Sequence, residues 1–144
     1  MQTSHAWLAG IVDGEGCLTL FMKKNDTGTK SVTANITITN SSAAIIDRCV
    51  ELLDAGCVKH TLVKMRDPRN PNGRALRRLS VRNYDAILRL LDMIEPFMVG
   101  KSEQARLVRE FVSQAKVRCA LSPDDRERYY NEVRRLNRVG NLIP

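Results

Sequence analysis

The stretch Trp7–Phe21, WLAGIVDGEGCLTLF, changes periodicity halfway along. Up to Gly14 its apolar residues recur at helical spacing; beyond Gly14-Glu15-Gly16 they alternate as in a strand. The spacing predicts a helix over about Ser4 to Gly14, capped by Thr3 or Ser4, running directly into a strand. At about 100° per residue, Ala6, Ala9, Gly10 and Asp13 form one stripe of that helix, and Trp7, Leu8, Ile11 and Val12 form another. The large stripe is expected to face a core. The small stripe lets a second backbone come very close, either the chain's own sheet or another helix. Between two glycines at the junction stands a lone acid, Glu15, in a chain that is otherwise basic.

Working outward, CLTLFMKK (17–24) and SVTANITIT (31–39) read as two strands joined by the hairpin-forming NDTGTK. The second places Val32, Ala34, Ile36 and Ile38 on one side and Ser31, Thr33, Asn35, Thr37 and Thr39 on the other. A helix over about Ser42 to Ala55 follows, with Ile45, Ile46, Cys49, Val50 and Leu53 at helical spacing and Gly56 as its stop. CVKHTLVKMR (57–66) and RALRRLSVRN (74–83) form a second strand pair across the loop DPRNPNG. In the fourth strand Leu79 and Val81 point inward, while Arg78, Ser80 and Arg82 point outward. The third strand has two readings, with either Lys59, Thr61 and Val63 or His60, Leu62 and Lys64 outward. Helices over Tyr84–Phe97 and Ser102–Leu121 come next, then a last one opened by Ser122 as cap and Pro123 in its first turn.

The order is α-β-β-α-β-β-α with two further helices, an α+β chain. Hairpin-paired strands predict a mainly antiparallel sheet with helices on one face, leaving the other face polar and basic. No linker divides the chain, so residues 1–144 are read as one domain, with a core over about 4–121 and a helical extension over about 122–144.

Lys and Arg total 23 against 16 Asp and Glu, a net charge of +7 that favours a polyanionic partner. No apolar run of about 18 residues is present, and the first residues lack the basic start and apolar stretch of a secretory signal. The expected place is inside the cell, in cytoplasm, nucleoid or an organelle matrix, with no membrane partner. Cys17, Cys49, Cys57 and Cys119 form no C-x-x-C pair and read as reduced core residues; with His5 and His60 they show no zinc spacing. A nucleotide-binding loop is excluded, because no strand precedes the glycines and no Gly-Lys-Ser/Thr follows them.

LAGIVDGEG, Leu8 to Gly16, closely resembles the nine-residue signature of the LAGLIDADG homing endonucleases, and it stands at a helix-to-strand junction as theirs does. ITNSSAAIIDRC (38–49) is similar to the segment that ends the family's second strand, IEPFMVGKSEQARLV (94–108) to the one leading into its last helix, and SPDDRERYYNEV (122–133) to the C-terminal extension of chloroplast-type, single-motif members. The resemblance implies the family's αββαββα fold, with a curved antiparallel sheet lying in the DNA major groove. It implies a homodimeric, Mg2+-dependent endonuclease that makes a staggered double-strand cut in a long pseudo-palindromic site, with Mn2+ or Ca2+ able to take the metal's place in binding.

It further implies Glu15, Asn40 and Lys101 as catalytic residues, Glu15 with Gly14 at the metal, and Ala6, Ala9, Gly10 and Asp13 as the dimer interface. The expected DNA contacts are Thr19, Phe21, Lys23, Ser31, Thr33, Asn35, Thr37, Arg78 and Ser80 on the strands, with Asn25, Arg69, Asn70, Asn72 and Arg74 in the loops. A strand of about eight residues spans roughly 26 Å, or about eight base pairs. Two residues depart from the family pattern: Glu15 stands where Asp is frequent, and Asn40 is shorter than the Gln of some relatives. Two alternative readings keep the scaffold: an RNA-binding intron maturase and a catalytically inactive DNA-binding regulator.

Overall fold

The structure, a computed structural model, describes residues 2–117 and 120–142; Cys119, expected in the core, lies outside them. Helix α1 (Gln2–Glu15) leads into β1 (Gly16–Lys24) and β2 (Lys30–Asn40), then α2 (Ala43–Ala55), β3 (Thr61–Met65) and β4 (Leu76–Val81). Helix α3 (Tyr84–Ile94), a 3-10 turn (Glu95–Phe97), α4 (Ser102–Ala115) and α5 (Pro123–Leu142) complete the chain. The four strands form one antiparallel sheet in the order β1-β2-β4-β3. The α+β reading and the element order hold.

The register sorts the side chains, because directly opposed residues share a face. Cys17, Thr19, Phe21 and Lys23 of β1 stand opposite Thr37, Asn35, Thr33 and Ser31 of β2. Thr37 and Thr39 stand opposite Ser80 and Arg78 of β4, which in turn face Thr61 and Val63 of β3. One continuous polar face results. Leu18, Leu20, Val32, Ala34, Ile36, Ile38, Leu79 and Val81 fill the opposite face and are buried with Leu8 and Val12 of α1 and Phe111 of α4. The third strand thus takes the register with Thr61 and Val63 outward. Its sequence left this open because β3 is an edge strand and is barely buried on either side: Leu62 is 44% and Val63 55% exposed.

Some boundaries differ from the sequence reading. Strands β3 and β4 are shorter than expected, and Arg74 lies in the loop between them, as its place among the loop contacts requires. The helix expected over Tyr84–Phe97 ends at Ile94, because Pro96 disfavours helical backbone before it and lacks an N–H. Helix α4 ends at Ala115, short of the expected Leu121. Helix α2 ends at Ala55, as expected, with Gly56 as its cap residue. The Cys57 amide bonds to Asp54 O at 3.0 Å and the Val58 amide to Leu53 O at 2.8 Å, with Cys57 itself at φ 55°. That is a Schellman closure with a non-glycine residue in the left-handed position. Gly56 is small for another reason, since a Cβ there would lie 2.7 Å from Met93 Sδ. Cys57→Gly is therefore expected to stabilise the fold by about 0.5–1 kcal/mol, read as a raised urea midpoint.

The first helix divides differently from its predicted stripes. Ala9 is fully buried in the chain's own core, and Trp7 is 38% exposed. The burying face is centred on Leu8 and Val12. At about 100° per residue Ala9 lies about 60° from Val12 and Trp7 about 140° away, so the alanine goes in and the tryptophan stays out. Ala6, Gly10 and Gly14 are exposed and spaced four residues apart, with Trp7 beside them. A Cβ built on Gly10 or Gly14 meets nothing within 4 Å.

Candidate active site

Helix α1 ends at Glu15 and β1 begins at Gly16, with no connecting residue. Only glycine permits so sharp an exit: a Cβ on Gly16 would stand 2.7 Å from Val12 O and 2.8 Å from Val12 Cα, both backbone atoms. Gly16→Ala is accordingly expected to cost about 2 kcal/mol, seen as a lowered thermal midpoint. The turn leaves Glu15 exposed at the carbonyl end of a helix, where the dipole disfavours a negative charge.

Two side chains offset that. The Asn40 amide Nδ2 donates to Glu15 Oε2, while Asn40 Oδ1 accepts from the Ser42 amide at 2.7 Å, so the last residue of β2 is held at both ends. Lys101 Nζ donates to Val12 O at 3.2 Å and to Gly16 O at 2.6 Å, placing a cation on the carbonyl end of α1. Lys101 is thus more than the first polar residue of α4: it ties α4 to the helix-strand junction, with two of its three N–H groups engaged.

Asp13, expected at a dimer interface, is turned inward. Its Oδ2 accepts from the Val99 amide at 2.7 Å and its Oδ1 from the Lys101 amide at 3.0 Å. The carboxylate anchors the turn before α4, where amides lack helical partners. Cys49, fully buried, has its thiol pushed up to about 11 by burial and by the negative charge of Glu15, so it stays a neutral packing group.

These residues surround a cavity of about 510 Å³ lined by Asp13, Gly14, Glu15, Gly16, Cys17, Gly100, Lys101, Gln104 and Asn137. Asn40 touches Glu15 but is not part of the lining. Sequence reading missed Gln104 and Asn137. Gln104 had a signal, a polar residue one turn after Lys101 on a helix whose neighbours at that angle are apolar. Asn137 had none; it arrives because α5 packs along β1, where its Nδ2 donates to Leu18 O at 3.0 Å.

Among the described residues no group of three His, Cys, Asp or Glu side chains converges for a metal. The exposed Glu15 carboxylate and the Gly14 carbonyl, in the last turn of α1, offer hard oxygen donors on an open side of the cavity. That set suits Mg2+, which is commonly held by one or two carboxylates and completed by phosphate and water, and it does not suit an enclosed all-protein cage.

The expected DNA contacts fall into two groups. Phe21, at 51% exposure, and Lys23, Thr33 and Arg78 stand open on the uncovered sheet face; Thr19, Ser31 and Thr37 are half-buried there. Asn25, Arg69, Asn70, Asn72 and Arg74 are exposed in the two hairpin loops. Asn35 and Ser80 are the exceptions, each only 5% exposed. Both are short side chains on the central strands β2 and β4 with neighbours on either side, so they lie at the floor of the face rather than at its surface.

No family model matches the chain, and no curated protein matches it. Solved structures do. The homing endonuclease I-CvuI, crystallised with a DNA target in 2 mM Ca, aligns with a TM-score of 0.72 at 20% identity over 94% of this chain and 82% of that one. The archaeal intron-encoded homing endonuclease I-Vdi141I, complexed with DNA, gives 0.74 at 18% identity over 98% and 94%. The homing endonuclease I-TnaI gives 0.64 at 16% identity over 94% and 97%. At these identities the likeness is one of fold, and it extends over nearly the whole chain. With its helix-to-strand junction, its four antiparallel strands and its helices on one face, this chain has the fold of the LAGLIDADG homing endonucleases.

Proposed function

We propose that the chain is a site-specific endonuclease for double-stranded DNA, acting as a homodimer with a divalent cation. The observation that carries this reading is the placement of Glu15: an exposed carboxylate at an abrupt helix-to-strand turn, on a cavity beside the polar sheet face. The uncovered face and the net charge of +7 suit a duplex. Strand β2, at 11 residues, is long enough for roughly 36 Å, or about ten base pairs. Phe21, Lys23, Thr33 and Arg78 supply contacts in the groove, and the loop residues Asn25, Arg69 and Arg74 reach the flanking backbone.

When bound, a divalent cation neutralises charge on the phosphate and acidifies a water. The chain's own residues do the rest. Glu15 and the Gly14 carbonyl would hold the cation. Asn40 fixes the rotamer of the Glu15 carboxylate. Lys101 offsets the negative end of α1 and has one N–H left for a phosphate oxygen. A single carboxylate serves one strand, so two scissile phosphates require two subunits. The exposed small residues Ala6, Gly10 and Gly14 suit a two-fold packing of α1 on its copy, which would set two Glu15 side chains side by side. Ala9 and Asp13, engaged inside the chain, take no part in that contact.

The test is incubation of the protein with a randomised duplex library, with Mg2+, with Mn2+ and with EDTA. Recovery of one defined, near-palindromic site cut on both strands in metal alone is the expected result. Sequence-selective binding without cutting in either metal would replace this reading with a DNA-binding regulator, and selective retention of structured RNA over duplex would replace it with a maturase.

A further inference from the structure

The cavity beside Glu15 is polar, yet nearly every polar side chain that lines it is already engaged. Asp13 uses both oxygens on the Val99 and Lys101 amides. Lys101 donates to Val12 O and Gly16 O, Asn137 Nδ2 to Leu18 O, and Glu15 accepts from Asn40. Cys17 Sγ lies 2.8 Å from Thr19 Oγ1. Gln104 differs. It is only 7% exposed, and among the described residues its carboxamide makes no hydrogen bond. Its polar atoms are not sealed in the core, where Asn35 Oδ1 is the unpartnered buried atom among the described residues; they open onto the cavity and are free to meet something that enters it.

Its position says what that something is. Gln104 stands in the first turn of α4, three residues after the N-cap residue Lys101, and both line the cavity together with Glu15. A carboxamide has two donors and two acceptor positions and does not titrate in the working range. It can accept from one water proton while donating to a phosphate oxygen, and so it can orient a water without taking its proton.

We propose that Gln104 positions the attacking water for phosphodiester hydrolysis. In that reaction the water oxygen forms a new bond to phosphorus, the bond from phosphorus to the leaving deoxyribose oxygen breaks, that oxygen takes up one proton, and the second water proton passes to solvent. Gln104 is a positioning residue; it neither holds the cation nor exchanges a proton. The assignment rests on the nuclease reading above and adds to it the source of the water's alignment.

Two variants test it on the site recovered from the duplex library. Gln104→Met keeps the volume and removes every hydrogen bond. It should lower the single-turnover cutting rate by about 100-fold, the scale on which misplacement of a reactant acts, with duplex affinity in Ca2+ and the thermal midpoint close to wild type. Gln104→His restores one donor and one acceptor and should recover part of that rate. A purely structural glutamine would give the opposite order, since methionine suits a buried site better than a bulkier ring. Cutting by Gln104→Met at the wild-type rate overturns the inference, as does an equal loss in both variants that follows a lowered thermal midpoint. If the wild-type protein cuts no duplex in Mg2+ or Mn2+, the nuclease reading falls first and this inference with it.

Discussion

Replacing Glu15 by Gln is expected to reduce strand cutting by at least about 1,000-fold, close to 4 kcal/mol of transition-state stabilisation, while duplex affinity stays within about threefold. The substitution is nearly isosteric, and the glutamine Oε1 can still accept from Asn40, so the helix-strand junction keeps its shape. What changes is charge: the one exposed carboxylate on the cavity becomes a neutral amide and a poor partner for a hard cation. Affinity should rise slightly if it moves at all, because a negative charge is removed from a basic DNA face. Single-turnover cleavage in Mg2+ and fluorescence anisotropy in Ca2+ give the two numbers. Wild-type cutting by Glu15→Gln would remove this residue from the chemistry and with it the basis of the proposed function.

Gly10→Leu should abolish coordinated double-strand cutting while leaving the monomer folded. A side chain at this position enters open space, since no atom lies within 4 Å of its Cβ. Within α1 the exchange also relieves the conformational cost of a mid-helix glycine, worth up to about 1 kcal/mol, so the thermal midpoint should hold or rise. The effect appears only where a second helix must come close. A leucine on the exposed stripe of Ala6, Gly10 and Gly14 holds the partner helix off and separates the two Glu15 carboxylates. Sedimentation should report a monomer, and cleavage should fall to rare single-strand nicks. A wild-type sedimentation coefficient with wild-type cutting would show that α1 is not the contact, and a strictly monomeric wild-type chain on DNA would end the homodimer reading. Gly16→Ala is the control on the same motif, because there the same added carbon strikes the chain's own backbone and damages the fold instead.

Much of this was legible before any coordinates. The change from helical to alternating period placed α1 against β1, and strict alternation in β2 separated the core-facing Val32, Ala34, Ile36 and Ile38 from the polar side. Glu15 and Lys101 stood out by the motif each belongs to, and Ser122 as helix cap by its chemistry. In each case the information is local: a period, a cap, or an acid between two glycines.

The residues misjudged from sequence are those whose surroundings come from distant parts of the chain. Trp7 and Ala9 exchange places because α1 rests on α2, α3, the 3-10 turn and the sheet together, and these come from distant parts of the chain. Cys57 takes the left-handed position of the α2 closure, while Gly56 before it lies against Met93, a residue of α3. Asp13 serves as an internal anchor because Val99 and Lys101 arrive from 86 and 88 residues away.

Sequence alone therefore determined the order of elements, the polar face and the acid at the junction, since backbone periodicity and turn chemistry act over a few residues. Tertiary structure decided which groups around that acid are already satisfied and which one, Gln104, still lacks a partner among the described residues. Hydrogen bonds between segments far apart in the chain become fixed only when helices and sheet close on one another, and no local pattern records them.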